Sequence, residues 1–222
     1  MDLEIRSRIG QAQAAFNQVA KPILSNRHLP ECTRVQLFQA LIGTKLFFGF
    51  GAWPTPTHRQ MAKLKAVLLR MLQKVLRLSK DEIMTIPASE VFRRAKQPDA
   101  RVRLAVDRLL YAQRLWEHGP EDLQHLIHRE QALCTGSWLE GLLADLQWLQ
   151  MMEHDVPSPI DLTDLTALFD LWQSGSAEWQ KRVKCAFRRF QRQEHMMQQM
   201  HRLDIFFNHL AVLLDVSRRI AM

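Results

Sequence analysis

Between Val35 and Phe48 the chain places apolar residues on nearly every side of a helix. Val35, Leu37, Phe38, Leu41, Ile42, Leu46, Phe47 and Phe48 cover almost the whole circumference. Such a helix has no face to give to water, so other elements must enclose it. Pro30 is suited to the first helical position and sets its start. Gly49 and Gly51 sit where a helix ends in a left-handed turn, and Trp53 then leads into Pro54-Thr55-Pro56. Gly43, inside the segment, is expected to admit a close neighbour.

The flanking segments supply that enclosure. From Asp2 to Val19, Ile5, Ile9, Ala12, Phe16 and Val19 recur at spacings of four and three, which is one helical stripe. Arg6 and Arg8 lie off it. Gly10 weakens the helix interior by about 1 kcal/mol relative to Ala and marks an expected close contact. Pro22 is expected to end or kink this helix. After Trp53, Thr57 followed by Gln60 forms a capping-box pattern, and Met61, Leu64, Leu68, Met71, Leu72 and Val75 give an apolar face.

The other side of this third helix carries one sign of charge. Arg59, Lys63, Arg70, Lys74 and Arg77 fall within an arc of about 60° and extend about 27 Å along the axis. A solvated face needs charge but not one sign of it, and like charges at i, i+4 destabilise a helix. No Asp or Glu lies between Thr57 and Lys80. The row therefore points to a polyanion-binding face, with a plain solvated face as the alternative.

Beyond residue 78 the pattern stays helical. Ser79 to Pro98 reads as a connection with a short helical piece near Val91 and Phe92. Pro98-Asp99 opens a helix with Val102, Ala105, Val106, Leu109, Leu110 and Leu115 on its apolar side and Arg101, Arg108 and Arg114 elsewhere. Gly119-Pro120 stops it. A helix from Glu121 breaks near Thr135-Gly136 and resumes through Trp138, Leu142, Leu146 and Leu149. A short helix follows from Asp161 to Gly175. A long one begins at Trp179 and is basic in its first half, from Lys181 to Arg192. No sustained period-two alternation appears, so the fold class is all-α. Residues 1–78 form a basic three-helix bundle and 79–222 a further helical region.

Net charge by segment is +9 over residues 1–78, +3 over 79–115, −11 over 116–178 and +6 over 179–222. A basic head, an acidic middle and a basic tail give separate electrostatic faces. The tail, 179–222, fits an acidic protein partner or the chain's own acidic middle, which makes a helical interaction module the alternative reading. Cys32, Cys134 and Cys185 are odd in number and widely spaced, which fits a reducing compartment better than a disulfide framework. Met1-Asp2-Leu3-Glu4 lacks a signal-peptide order. The most apolar run, Leu41–Trp53, holds Lys45 and three glycines and is too short to span a bilayer. The expected location is intracellular, nuclear or cytoplasmic, with no integral membrane association.

Catalytic patterns are missing. His125 and His128 with Glu130 could share a helix face, but no HExxH pattern or fourth ligand accompanies them. His195, His201 and His209 follow no ligand spacing. There is no glycine-rich phosphate loop, no GxSxG and no acid–base carboxylate pair, so no metal, cofactor or catalytic residue is assigned.

Three blocks, in order, resemble a known family. Glu4-Ile5-Arg6-Ser7-Arg8-Ile9-Gly10-Gln11-Ala12 with Ala15-Phe16 is similar to the segment that follows the palm of non-LTR retrotransposon reverse transcriptases. Leu46-Phe47-Phe48-Gly49-Phe50-Gly51-Ala52-Trp53 resembles that family's Leu-Leu-Tyr-Gly-x-Glu-x-Trp-like motif. Met61 to Leu64, Leu69-Arg70 and Lys74 to Arg77 resemble the Arg-rich helix after it. The resemblance covers about residues 2–78 and implies the helical thumb, which grips a template–primer duplex. Phe48 replaces the usual Tyr and Gly51 the usual Glu. The metal-binding Tyr/Phe-x-Asp-Asp motif has no counterpart: Tyr111 is followed by Ala112-Gln113-Arg114, and no Asp-Asp pair exists. Two-metal nucleotidyl transfer needs clustered carboxylates. Met1 is thus expected to start downstream of a catalytic domain, as in a truncated element, a partial gene model or a separately encoded remnant; a retroelement remnant with no selected function is a further alternative. The resemblance implies sequence-independent duplex binding by a non-catalytic chain. Arg59, Lys63, Arg70, Lys74 and Arg77 would contact phosphates, with Arg6, Arg8 and Arg27 as outlying contacts.

Overall fold

A computed structural model describes residues 1–24, 26–123, 125, 137–152, 177–193, 196 and 197. Among these the chain is all-α, with no strand. Helix α1 (Asp2–Val19) runs on through a wide π-helical turn, Ala20–Leu24, that takes in Pro22 instead of stopping at it. Helix α2 (Glu31–Phe38) starts from Pro30. It continues through a second π-helical turn, Gln39–Gly43, into one α-turn, Thr44–Leu46. Helix α3 (His58–Leu76) opens on a complete capping box. Thr57 N donates to Gln60 Oε1 at 2.8 Å, and Gln60 N donates to Thr57 Oγ1 at 3.3 Å.

The helical piece expected near Val91 and Phe92 is present as α5 (Ala88–Arg94), and a further short helix, α4 (Lys80–Thr85), precedes it where only a connection was expected. A second capping box, Ser79 with Glu82, starts α4. Helix α6 (Ala100–His118) is capped by Asp99, whose side chain accepts from Arg101 N at 3.0 Å, and it stops at Gly119. Helix α7 (Trp138–Met152) and helical residues 177–193, here α8, complete the described structure. The expected breaks at Thr135-Gly136 and Asp155–Pro159, the Asp161–Gly175 helix, His128, Glu130, Cys134, His195, His201 and His209 lie outside the described residues.

Side-chain contacts give the packing directions. Gln60 meets Asp2, Lys74 meets Phe16 and Arg77 meets Leu24, so α1 and α3 run parallel. Phe38 meets Phe16 and Phe48 meets Arg8, so α2 runs antiparallel to both. The α2 segment is not enclosed on all sides. Val35, Phe38, Ile42 and Leu46 are buried, but Leu41 is 38% and Phe48 64% exposed. The helical stretch Glu31–Ala52 spans 22 residues at mean hydropathy 1.2, which by length and composition is enough to cross a membrane. Here its inner face joins the core formed with Phe16, Leu64, Leu68 and Leu72. Each such side chain contributes roughly 1.5–3 kcal/mol when fully buried.

That core does not end at residue 78. It continues through Val91, Phe92, Ala95, Ala100 and Leu104. A second cluster joins Leu109 and Ala112 of α6 to Leu139, Leu142, Leu146 and Leu149 of α7 and to Trp179 and Val183 of α8. Helix α6 therefore belongs to both cores.

Of Gly10, Gly43 and Gly51, it is Gly51 that has a close neighbour. Gly10 has nothing within 4 Å of where a Cβ would stand, and at Gly43 only Phe38 O comes near, at an ordinary 3.8 Å. A Cβ on Gly51 would lie 2.7 Å from Tyr111 Cβ and closer still to Asp107 O. Of Gly49 and Gly51, Gly49 is the left-handed one (φ 66°), and it ends the helical run. The residues after it dock the second core. Trp138 Nε1 donates to Gly51 O at 2.7 Å, and Arg108 Nη2 donates to Trp53 O at 3.3 Å. Arg108, expected off the apolar side, is buried at this joint.

Candidate nucleic-acid interface

Helix α3 buries Met61, Leu64, Val67, Leu68, Met71, Leu72, Val75 and Leu76. At 100° per residue these span an arc of about 180°. The rotation of the helix is thereby fixed, and the basic row is held on the solvent side. Arg59, Arg70 and Lys74 are exposed and Lys63 is half-buried.

Neighbours tune the row. Asp2, at the start of α1, accepts from Gln60 Nε2 at 3.1 Å. That bond, with smaller contributions from Lys63 and Arg6, holds the Asp2 carboxyl below its usual range. Farther along, Lys74 Nζ stands 5.9 Å from the centre of the Phe16 ring, within reach of a cation–π attraction. Arg70 Nε folds back onto Ala66 O at 3.2 Å. Its guanidinium keeps further donors for a ligand.

Arg77 departs from the straight row. It follows the last helical residue in the left-handed conformation, with φ 58°. Arg77 N donates to Lys74 O at 3.1 Å and Leu78 N to Gln73 O at 3.0 Å, the paired bonds of a Schellman end. Its Nη2 reaches Leu24 O at 3.4 Å, so the charge closes the row over the end of α1. Arg8 lies apart, on the α2 side, paired with Glu4 at 2.7 Å and 4.7 Å over the Phe48 ring. Arg27 is exposed in the turn before α2, where Asn26 Oδ1 accepts from His28 N.

Two further arginines are buried. Arg34 is only 6% exposed, and its Nε and Nη1 have no partner among the described residues. Burial pushes its pKa down, Arg77 and Arg94 push the same way, and Glu31 opposes them. Arg108 pairs with Asp145 at 2.7 Å. Neither presents a charge to a surface ligand. Among the described residues no group of three His, Cys, Asp or Glu could hold a metal ion. The arrangement can attract and position an anion.

No family model, curated protein or solved structure matches the chain.

Proposed function

We propose that this chain is a non-catalytic, thumb-like module that binds a nucleic-acid duplex without reading its sequence. The observation that carries this is the row Arg59, Lys63, Arg70 and Lys74, held outward by eight buried residues on the opposite side of α3. Successive charges stand roughly 6 or 10 Å apart along the axis. Cations so spaced meet phosphates, and phosphate contacts position a duplex without specifying bases. Arg77 and Arg6 extend the row at its two ends, while Arg8 and Arg27 are peripheral.

The reading supports a template–primer type of duplex and an intracellular location, nuclear or cytoplasmic, where such a ligand occurs. The absence of an Asp-Asp pair from the sequence supports the non-catalytic part. The test is duplex affinity as a function of salt. Four or five phosphate contacts give a slope of log K against log salt of about −4. Binding that is absent at low salt, or unchanged in Lys63→Glu/Arg70→Glu/Lys74→Glu, overturns the proposal.

A further inference from the structure

A second basic surface, this one concave, lies on other elements. Two hollows of about 550 and 470 Å³ share Lys96, Gln97, Pro98 and Phe187. Each falls in the range of about 300–1,000 Å³ that small-ligand sites occupy. The smaller is walled by Phe92, Phe187 and Phe190, and Lys96, Arg188 and Arg192 stand around it.

The wall is fixed in place. Trp179 Nε1 donates to Leu109 O at 3.1 Å, Val183 and Ala186 are buried, and the Phe190 ring stacks edgewise on Trp148 at 6.0 Å. Helix α8 therefore presents Phe187 and Phe190 on one side and Arg188 and Arg192 beside them. Across the hollow, Lys96 ends α5 with φ 49°. Lys96 N donates to Arg93 O and Gln97 N to Phe92 O, both at 2.9 Å, which is a Schellman end with lysine where glycine is usual. Arg93 is neutralised by Glu90. Among the described residues Lys96, Arg188 and Arg192 form no ion pair.

Aromatic faces beside cations in a concave site suit a ligand with flat faces and negative charge together. A duplex hides its base faces in its own stack and offers backbone and base edges instead. An unpaired strand offers both, and stacking on aromatic rings with cations along the backbone is how such strands are held. We infer that this cleft binds single-stranded nucleic acid, with bases against Phe187 and Phe190 and phosphates on Lys96, Arg188 and Arg192. Gln97 and Gln191 also line the cleft; Gln97 Nε2 already donates to Ala95 O and Lys96 O at 3.5 and 3.3 Å, so Gln97 offers a base edge its carbonyl oxygen. The site goes beyond the duplex reading and uses none of its residues.

The experiment is fluorescence anisotropy of the full chain with a labelled oligothymidylate and, separately, a labelled hairpin duplex. Phe187→Ala/Phe190→Ala weakens oligothymidylate binding by about tenfold or more and leaves duplex binding unchanged. Arg188→Glu/Arg192→Glu, at exposed positions that carry no packing, does the same and guards against a folding artefact. Lys63→Glu/Arg70→Glu/Lys74→Glu does the reverse, so failure of the α3 reading and failure of this one are separable. The inference is overturned if the wild-type chain does not bind oligothymidylate at low salt, or if both cleft variants bind it normally. It is also overturned if an acidic, aromatic peptide binds the cleft in place of oligothymidylate.

Discussion

Arg108 Nη1 donates to Asp145 Oδ2 at 2.7 Å with only 2% of the arginine side chain exposed. The same guanidinium reaches Trp53 O, so one side chain ties α6 to both α7 and the end of the Glu31–Ala52 stretch. Burial pushes the Asp145 carboxyl up to about 6, against the opposing pull of Arg108. Desolvation of a buried pair can exceed its Coulombic gain. Between pH 4 and 6, roughly, the folded chain holds a proton that the unfolded chain has released. The stability contributed by Asp145 is therefore present at the acid end of that window and lost as pH rises through about 6. Asp145→Asn keeps the shape and has no such proton. Its stability relative to wild type should improve from pH 4.5 to pH 7, read from urea midpoints. Equal differences at the two pH values would disprove the assignment. Asp145→Ala should cost about 3–5 kcal/mol by stranding Arg108.

Gly51 and Gly10 make a paired test of backbone approach. A Cβ at residue 51 would press on the carbonyl oxygen of Asp107 and on Tyr111, both in α6. Gly51→Ala is expected to cost about 1–3 kcal/mol or more, as overpacking does. Gly10 sits mid-helix, exposed, with nothing near its missing Cβ. Gly10→Ala should stabilise by about 0.5–1 kcal/mol. Melting curves of the two variants should move in opposite directions, and a shared direction would contradict the packing.

Which glycine touches a helix was not legible beforehand, because the answer depends on α6, more than fifty residues later. What the sequence carries well is local. The Thr57 and Gln60 caps, the Asp99 start and the Gly119 stop need only neighbours within four residues. The Ser79 and Glu82 cap was equally local. It went unread because Ile83 and Met84 stay exposed and α4 buries nothing, so no apolar stripe marked it. The α3 row was legible as periodicity. Its flank was not, since Asp2 and Phe16 reach it only through the parallel packing of α1. Arg108 looked like surface because its partner Asp145 lies 37 residues away. The cleft needed α5 and α8 side by side, which no periodicity encodes.

Arg34 gives a test of cost without benefit. A buried guanidinium with two partnerless nitrogens carries an unsatisfied desolvation penalty. Met fills similar length without charge. Arg34→Met should be neutral or stabilising, by up to about 4 kcal/mol, as for other buried ions replaced by apolar groups. A marked loss of stability would show that Arg34 has a compensating partner. Duplex affinity should stay within about twofold of wild type, since one phosphate contact alone changes it far more.

Arg77 separates binding from stability, which most substitutions confound. Its left-handed φ of 58° is strained for any residue with a Cβ, and its charge adds to the field on buried Arg34. Gly is the preferred residue at this position of a Schellman end. Arg77→Gly removes the strain and the repulsion, against an entropic cost of about 0.5–1 kcal/mol for the added backbone freedom of glycine. The left-handed penalty for other residues is about 1–2 kcal/mol, so a net gain of roughly 0.5–1 kcal/mol follows. The same change removes the cation that closes the α3 row. Duplex affinity should fall, and the salt slope should flatten by about one. A variant that melts higher and binds weaker assigns Arg77 to the ligand. A variant that melts higher and binds as before makes Arg77 only a helix end, and limits the phosphate contacts to the four residues from Arg59 to Lys74.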